Sequence, residues 1–469
     1  MNTYAEALAA IRDRSAYGQG FVSDPFWGDE AARLGLRRMA ALLERLGRPD
    51  RRYPIIHVAG SKGKGSTCAF AASVLRAAGY RVGLTTSPHL HSFRERIAVG
   101  GEMISEAAFA ALTERIAGEA EALEAASPAL GRVTAFELLT AMALDHFAAM
   151  ECDVAVVEVG MGGALDATNV VTPAVSAITA LDYEHTLVLG STLAEIAANK
   201  AGIIKTARPV VVAEQATEAM AVIADVAARQ QSTLYAAGQD WHAEGHWRNF
   251  TAIGPWGAIP DLRVGLAGGH QVTNACLALA AVTLVSPALA VSEELERGLR
   301  AGVEAHHGQA VRHQQHPYRR FDQTWETAAR AGLASASLPG RFEVVEVDGR
   351  LVVLDGAHSL ASARALATTL SEAYPVRQAI LVVGTAADKR IDAIAEALSG
   401  NDRCVLATHA RSPRAAETDH IARAFQRVGL PVREVHDVAE ALGEAMAMAG
   451  EADLIVVTGS FRVVAEARE

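Results

Sequence analysis

Two series of short β-branched runs, each run followed by a helical stretch, leave this chain little choice of architecture. The first series places buried strands at Pro54–Ala59, Arg81–Thr85, Asp153–Val159, Ala174–Thr179 and Pro209–Ala213, with amphipathic helices at Ser105–Ala125 and Thr134–Met150. The second places strands at Arg341–Val347, Arg350–Asp355, Ala379–Gly384, Arg403–Thr408 and Leu454–Thr458, with helices starting near Ser359, Ile391, Arg414 and Asp437. Runs that are apolar throughout are buried on both faces, as strands of a parallel sheet are, so the fold class is α/β.

The boundaries follow from where the alternation lapses. Residues 1–53 read as a helical preface to a first domain spanning 1–305. Between about 232 and 268 Trp, Gly and Pro interrupt the pattern, which predicts short antiparallel strands before a helix over His270–Val285. His306–Ser337, carrying His306, His307, His313 and His316, has no clear period and reads as an insertion or linker (306–337). Its histidines follow no metal-ligand spacing, so a solvated loop is the plainer reading. A smaller domain then occupies 338–469.

Composition excludes several classes of function. At 469 residues and 50% hydrophobic content the chain can build two or three sizeable cores. No segment approaches the ~20 apolar residues of a membrane span. Met1-Asn-Thr-Tyr-Ala-Glu is no charged leader, so a cytoplasmic protein without a membrane partner is expected. Cys68, Cys152, Cys276 and Cys404 lie far apart, suggesting neither a disulfide framework nor a zinc cluster. With 43 Lys+Arg against 54 Asp+Glu, the net charge of −11 offers no footprint for nucleic acid, and an anionic ligand must be held by local charges.

Such a site is written at the end of the first strand, in His57-Val-Ala-Gly-Ser-Lys-Gly-Lys-Gly-Ser-Thr67, where strand passes to helix. Glycines at 60, 63 and 65 let the backbone turn so that N–H groups converge on an anion at a helix N-terminus. Lys64 adds positive charge and Ser66 or Thr67 a metal-seeking hydroxyl. The loop is shorter than the common phosphate-loop pattern, with Gly60 and Gly63 three positions apart and an extra Gly65.

Polar residues gather at the ends of the neighbouring strands as well, where ligands bind in parallel α/β sheets. Glu158, before Val-Gly-Met-Gly-Gly-Ala-Leu-Asp166-Ala-Thr-Asn169, offers a hard oxygen suited to Mg²⁺. Asp182-Tyr-Glu-His185 follows the next strand, and Lys200 lies in the helix after it. His185 equally suits a hydrogen-bonded loop histidine, and Lys200 a solvated cation at a helix end. Thr85-Thr-Ser87-Pro-His-Leu90 and Arg96 offer a further hydroxyl and an anion contact, or a plain turn and salt bridge. In the second domain Arg341 could clasp phosphate and Asp355 ribose hydroxyls, or the two could pair structurally. Ser359 is placed to cap a helix.

Taken in order, His57–Phe70, Thr86–Ile97, Val157–Asn169, Ala180–Ile203, Gly269–Ala275, Pro339–Val344, Asp355–His358 and Thr458–Ser460 resemble the signatures of the folylpolyglutamate synthase and dihydrofolate synthase family, relatives of the Mur ligases. The resemblance implies a P-loop nucleotide-binding domain with a mostly parallel sheet, and a smaller C-terminal Rossmann-like α/β domain. It assigns ATP to Gly60, Ser61, Lys62, Gly63, Lys64, Gly65, Ser66, Asn274, Arg341 and Asp355. Magnesium goes to Ser66, Ser87, Glu158 and His185, with room for a monovalent cation. Lys64, Glu158, His185 and Lys200 are the implied catalytic residues, Lys200 at a position often carbamylated in the family. Thr134, Phe136, Glu137, Leu165, Asp166 and Ala167 would meet the folate or dihydropteroate, and His358 and Ser460 the incoming L-glutamate. A monomer is expected.

The implied reaction is ATP-dependent amide formation, in which a substrate carboxylate takes the γ-phosphoryl group and the glutamate amine then displaces phosphate. A Mur-type ligase joining an amino acid to another carboxylate, or a P-loop protein that binds ATP without catalysis, are the alternatives. Three departures from the family bear on specificity. Ala164 stands where many members carry Arg, Ser359 replaces a common Asn, and Lys62 resembles the eukaryotic polyglutamylating branch. Thr134-Ala-Phe-Glu137 fits the dihydropteroate-binding pattern, whereas Arg33-Leu-Gly35 lacks its Asp.

Overall fold

A computed structural model of the protein describes residues 3–15, 29–300, 323–400 and 402–469. The chain divides into two units, Met1–Arg263 with Thr273–Ser335, and Val264–Val272 with Ala336–Glu469.

The first unit is built on an eight-stranded sheet of β1 (Ile55–Ala59), β2 (Val82–Thr85), β3 (Ala98–Val99), β4 (Glu102–Met103), β5 (Val154–Glu158), β6 (Val175–Ile178), β7 (Val210–Val212) and β8 (Leu234–Ala236). Their order is β4-β3-β2-β5-β1-β6-β7-β8, parallel except at the short β3 and β4. β1 and β5 are buried along their whole length, their runs apolar apart from His57 and the terminal Glu158. Because β2, β5, β1 and β6 are neighbours and parallel, the segments that follow them emerge along one edge of the sheet.

Around the sheet run α1 (Tyr4–Asp13), α2 (Asp29–Arg45), α3 (Lys64–Ala77), α4 (Glu106–Ala126), α5 (Ala135–Ala149), α6 (Thr186–Leu189), α7 (Leu193–Ala201) and α8 (Thr217–Arg229). The antiparallel meander expected after residue 232 begins later: β8 pairs in parallel with β7, and only β9 (His242–His246), β10 (Asn249–Gly254) and β11 (Gly257–Leu262) form it. The helix expected to end at Val285 runs on, as α9 (Gly269–Arg300).

Part of the expected linker is also helical. Residues 306–322, with their histidines, lie outside the described residues, whereas Gln323–Ser335 form α10. Its buried Trp325, Ala328, Ala329, Gly332 and Leu333 follow a helical period. At Gly332 the helix comes so close to α3 that a Cβ would fall 2.5 Å from the Cα of Val74.

The second unit carries a six-stranded sheet of β12 (Glu343–Val347), β13 (Arg350–Asp355), β14 (Ala379–Val383), β15 (Asp402–Ala407), β16 (Val432–Glu434) and β17 (Leu454–Thr458), in the order β12-β13-β17-β14-β15-β16. Only the β12–β13 pair is antiparallel. Its helices are α11 (Leu360–Ala373), α12 (Ile391–Leu398), α13 (Thr418–Arg427), α14 (Val438–Met448) and α15 (Phe461–Arg468). No helix among the described residues is long and apolar enough to cross a membrane.

Candidate active site

The loop after β1 divides into a wall and a cradle. Gly60 has φ 148° and lies so close to β6 that a Cβ would meet the Thr179 Oγ1 at 1.8 Å, a position only glycine can hold. The next two amides are committed, since Ser61 and Lys62 both donate to the Ala180 carbonyl at 3.1 Å. The Ser61 hydroxyl donates to the Asp182 carbonyl at 2.9 Å. These bonds tie the loop to the segment after β6 and take two of the expected amides out of anion binding. The first turn of α3, at Lys64, Gly65 and Ser66, is where a helix leaves its N–H groups without intrahelical partners. Gly63, with φ 88°, abuts Asn274, whose Oδ1 would lie 2.3 Å from an added Cβ. The distant Asn274 is thereby brought to the loop.

Two lysines converge on one carbonyl. Lys64 Nζ donates to the Gly60 carbonyl at 3.0 Å and Lys200 Nζ, from α7, donates to the same oxygen at 2.8 Å. Lys200 is only 2% exposed. Burial, helped by the neighbouring Lys64 charge, pushes its amine down to about 7. A third lysine, Lys62, lies 3.4 Å from Glu184. Burial raises the Glu184 carboxyl, yet Lys62, Lys64, His185 and Lys200 together hold it below the ordinary glutamate range. Glu184 is the residue that sequence reasoning passed over, although the strand-end run Asp182-Tyr-Glu184-His185 announced it. His185 itself has φ 50° and a half-exposed side chain, with Nε2 3.8 Å from Glu184.

Glu158 closes the next strand, 5% exposed, and its Oε2 accepts the Ser87 N–H at 2.9 Å, joining the ends of β5 and β2. Among the described residues no group of three or more His, Cys, Asp or Glu side chains is placed to hold a metal. Magnesium does not demand one, because it takes one or two carboxylates together with phosphate oxygens and water. The buried Glu158 carboxylate and the Ser66 hydroxyl at the head of α3 suit that donor set. Nearby, Arg96 Nε donates to His89 Nδ1 at 2.9 Å.

The residues expected to meet a folate are held in two turns. Thr134 and Glu137 form a capping box at the start of α5, and Arg38 clasps Glu137 through Nε at 2.9 Å and its terminal nitrogen at 2.7 Å. Both Glu137 oxygens are thus engaged inside the protein. The Phe136 ring lies on Gly160, where a Cβ would be 2.4 Å from its Cζ. After β5, Asp166 is buried and accepts from the Met161 N–H at 2.9 Å, the Thr168 N–H at 3.0 Å and the Thr168 hydroxyl at 2.6 Å. Leu165 beside it is partly exposed and Ala167 buried. The Ala164 N–H donates to Asn199 at 2.8 Å, so this turn rests on the end of α7 that carries Lys200.

In the second unit the expected residues surround Phe461. The Arg341 guanidinium stacks 4.3 Å from that ring's centre, and the His358 ring lies 6.4 Å away. Asp355 accepts the N–H groups of Phe342 and Ala357 at 2.8 and 2.9 Å. Burial pushes its carboxyl up, opposed by Arg341. His358 Nδ1 donates to the Gly356 carbonyl at 2.8 Å, and Ser460 caps α15 by accepting from Val463.

Residues 58–282 match the Mur ligase middle domain, and residues 340–461 the Mur ligase glutamate ligase domain. The chain is 34% identical to the dihydrofolate synthase/folylpolyglutamate synthase of Mycobacterium tuberculosis, over 95% of this chain and 91% of that protein. It is 37% identical to a Halobacterium salinarum protein named "Probable bifunctional folylpolyglutamate synthase/dihydropteroate synthase", but spans only 49% of that relative's length. Among solved structures, Mycobacterium tuberculosis folylpolyglutamate synthase complexed with ADP superposes with a TM-score of 0.80 at 31% identity, covering 98% of both chains. E. coli FolC in complex with DHPP and ADP gives 0.77 at 29% identity, over 99% of this chain and 97% of that one.

Proposed function

The chain belongs to the folylpolyglutamate synthase/dihydrofolate synthase family of Mur ligases, and from that premise we propose that it joins L-glutamate to a folate, or to dihydropteroate, at the expense of ATP. The observation that carries the reading is the convergence of Lys64 and Lys200 on the Gly60 carbonyl, beside the open first turn of α3 and the carboxylate of Glu158. Phosphoryl transfer asks for fixed positive charge around the migrating group and little covalent work from the protein. The first-turn amides of α3 bind the phosphates, and Lys64 swings from its carbonyl partner onto the γ-phosphate. Glu158, Ser66, Ser87 and His185 would hold magnesium, which would supply further positive charge to the phosphates. The acceptor carboxylate attacks phosphorus, ADP leaves, and the glutamate amine then attacks the acyl phosphate carbon and expels inorganic phosphate.

Lys200 takes a distinct part in this scheme. An amine poised near 7 is substantially neutral at physiological pH, which is the form that adds to carbon dioxide, losing a proton to give a carbamate. That places an anion among Lys62 and Lys64 where a neutral amine stood, and it would offer another oxygen to a bound metal. Asn274, Arg341 and Asp355 hold the nucleoside, Thr134, Phe136, Leu165, Asp166 and Ala167 the pterin-bearing acceptor, and His358 and Ser460 the glutamate. Glu137, clasped by Arg38, belongs to the same acceptor pocket. A monovalent cation, a monomeric state and a cytoplasmic location complete the proposal.

Phosphate release with L-glutamate and, in turn, tetrahydrofolate, dihydropteroate or a UDP-muramoyl acceptor tests the reading. Turnover is expected with tetrahydrofolate. Turnover confined to the muramoyl acceptor, or none with any, overturns it.

A further inference from the structure

β1 carries a histidine where an apolar residue would be expected. His57 is fully buried in the centre of the first unit's sheet, in register with Val157 on one side and Ser176 on the other. A methionine or leucine would fill that space without the cost of desolvating an imidazole. Its Nε2 lies 2.9 Å from the Thr168 Oγ1. The Thr168 hydroxyl has one proton, and it points to Asp166 at 2.6 Å. The imidazole must therefore donate from Nε2, which fixes the tautomer. Nδ1 has no hydrogen-bond partner among the described residues. Burial, with the charge of Lys205 adding to it, keeps the ring neutral, its proton affinity pushed down to about 3.

The relay His57–Thr168–Asp166 ends on the carboxylate that organises the turn after β5. Asp166 caps the short helix Ala167–Val170 and holds the Met161 N–H, so it sets the shape of the whole segment between them. His57 lies three residues before Gly60, on the strand that launches the phosphate loop. One strand thus supports the phosphate loop at its end and the turn carrying Leu165, Asp166 and Ala167 from its middle.

We infer that His57 is a positioning residue: through the Thr168 hydroxyl it locks Asp166, and with it the acceptor-binding turn 161–170, independently of the phosphate loop. This rests on the proposed role of that turn in holding the folate or dihydropteroate acceptor.

The test compares His57→Met, which removes the donor, with His57→Gln, whose amide N–H can reach the same hydroxyl, and with Thr168→Val. In the full-length protein, His57→Met and Thr168→Val should each raise the KM for tetrahydrofolate by up to about tenfold, the worth of one hydrogen bond. The KM for ATP should stay within about twofold, and His57→Gln should recover most of the loss. Combining His57→Met with Thr168→Val should add little, because the two act through one relay. Amide hydrogen exchange supplies a readout that needs no turnover: protection at Met161 and Thr168 should fall in His57→Met while the first turn of α3 is unmoved. Unchanged protection in folded His57→Met, or equal rises in both KM values, overturns the inference. Failure of the wild type to use tetrahydrofolate or dihydropteroate strikes the functional reading instead, and the exchange measurement still decides the role of His57.

Discussion

Both units gather their polar residues at the carboxyl ends of parallel strands, but they use them differently. In the first unit, charges from three strand ends and from α7 are pressed together: Lys64 and Lys200 share one carbonyl, Lys62 pairs with Glu184, and Glu158 is buried at the end of β5. Positive groups gathered this closely favour an anionic ligand among them. In the second unit the site residues are engaged by neighbouring groups of the protein. Asp355 binds two backbone amides, His358 its own loop, Ser460 the start of α15, and Arg341 lies on Phe461. The contrast separates a site whose residues are arranged for ligand charge from one whose residues first build the scaffold. It predicts that substitutions in the first cluster cost activity, and those in the second cost stability as well.

The largest effect is expected at Lys64. Lys64→Ala should lower ligation at least about 10³-fold, the scale of removing a cation from a transferring phosphoryl group, with the thermal midpoint nearly unchanged. Retained product formation in single-turnover assays would break the comparison on its catalytic side. Asp355→Ala should behave in the opposite manner. It strands the Phe342 and Ala357 amides and should cost about 2–4 kcal/mol in urea unfolding, whatever it does to the KM for ATP. A variant that loses ATP binding with unaltered stability would place Asp355 with the first cluster instead.

How much of this was legible beforehand depended on the range of the interactions. β1, β5, β14 and β17 stood out because parallel strands buried on both faces are largely apolar, so their ends, and the residues placed there, could be read directly. β3, β4 and β16 are two or three residues long, too short for any period to register. The period of α10 was present in Trp325, Ala328, Ala329, Gly332 and Leu333, but the His- and Gln-rich run ahead of it masked the start. Residue types at the site were visible, whereas their partners were not. Nothing local shows that Arg38 clasps Glu137 across 99 positions, or that Ala180 captures the Ser61 and Lys62 amides. Glu184 was overlooked because its importance lies in three lysines that only the fold assembles around it.

The gathering of positive groups in the first cluster should also appear as a pH dependence. Lys200 has a folded value of about 7 against an ordinary 10.5, so between these the unfolded chain binds more protons and stability rises with pH. Relative to Lys200→Met in carbon dioxide-free buffer, the wild type should gain up to about 1.4 kcal/mol per pH unit above pH 7, levelling off toward the ordinary lysine value. A flat difference between pH 7 and 9 would mean that the amine stays charged in the fold, and the two clusters would then be less unlike than their geometry suggests.

The smallest effect sharpens the comparison most finely, because Ser460 is asked both to cap α15 and to meet glutamate. Ser460→Ala removes the side-chain acceptor for the Val463 N–H and should cost about 1 kcal/mol of stability. Ser460→Gly leaves the cap only a few tenths of a kcal/mol weaker, since glycine tolerates the N-cap position well. Both variants lack the hydroxyl. If Ser460 contacts the incoming amino acid, the KM for glutamate should rise equally in the two, although only one is destabilised. If capping is its whole purpose, the KM should follow stability, moving in the alanine variant and staying in place in the glycine one. Urea unfolding and glutamate titrations of the same two preparations therefore decide whether the second unit's scaffold residues also bind ligand.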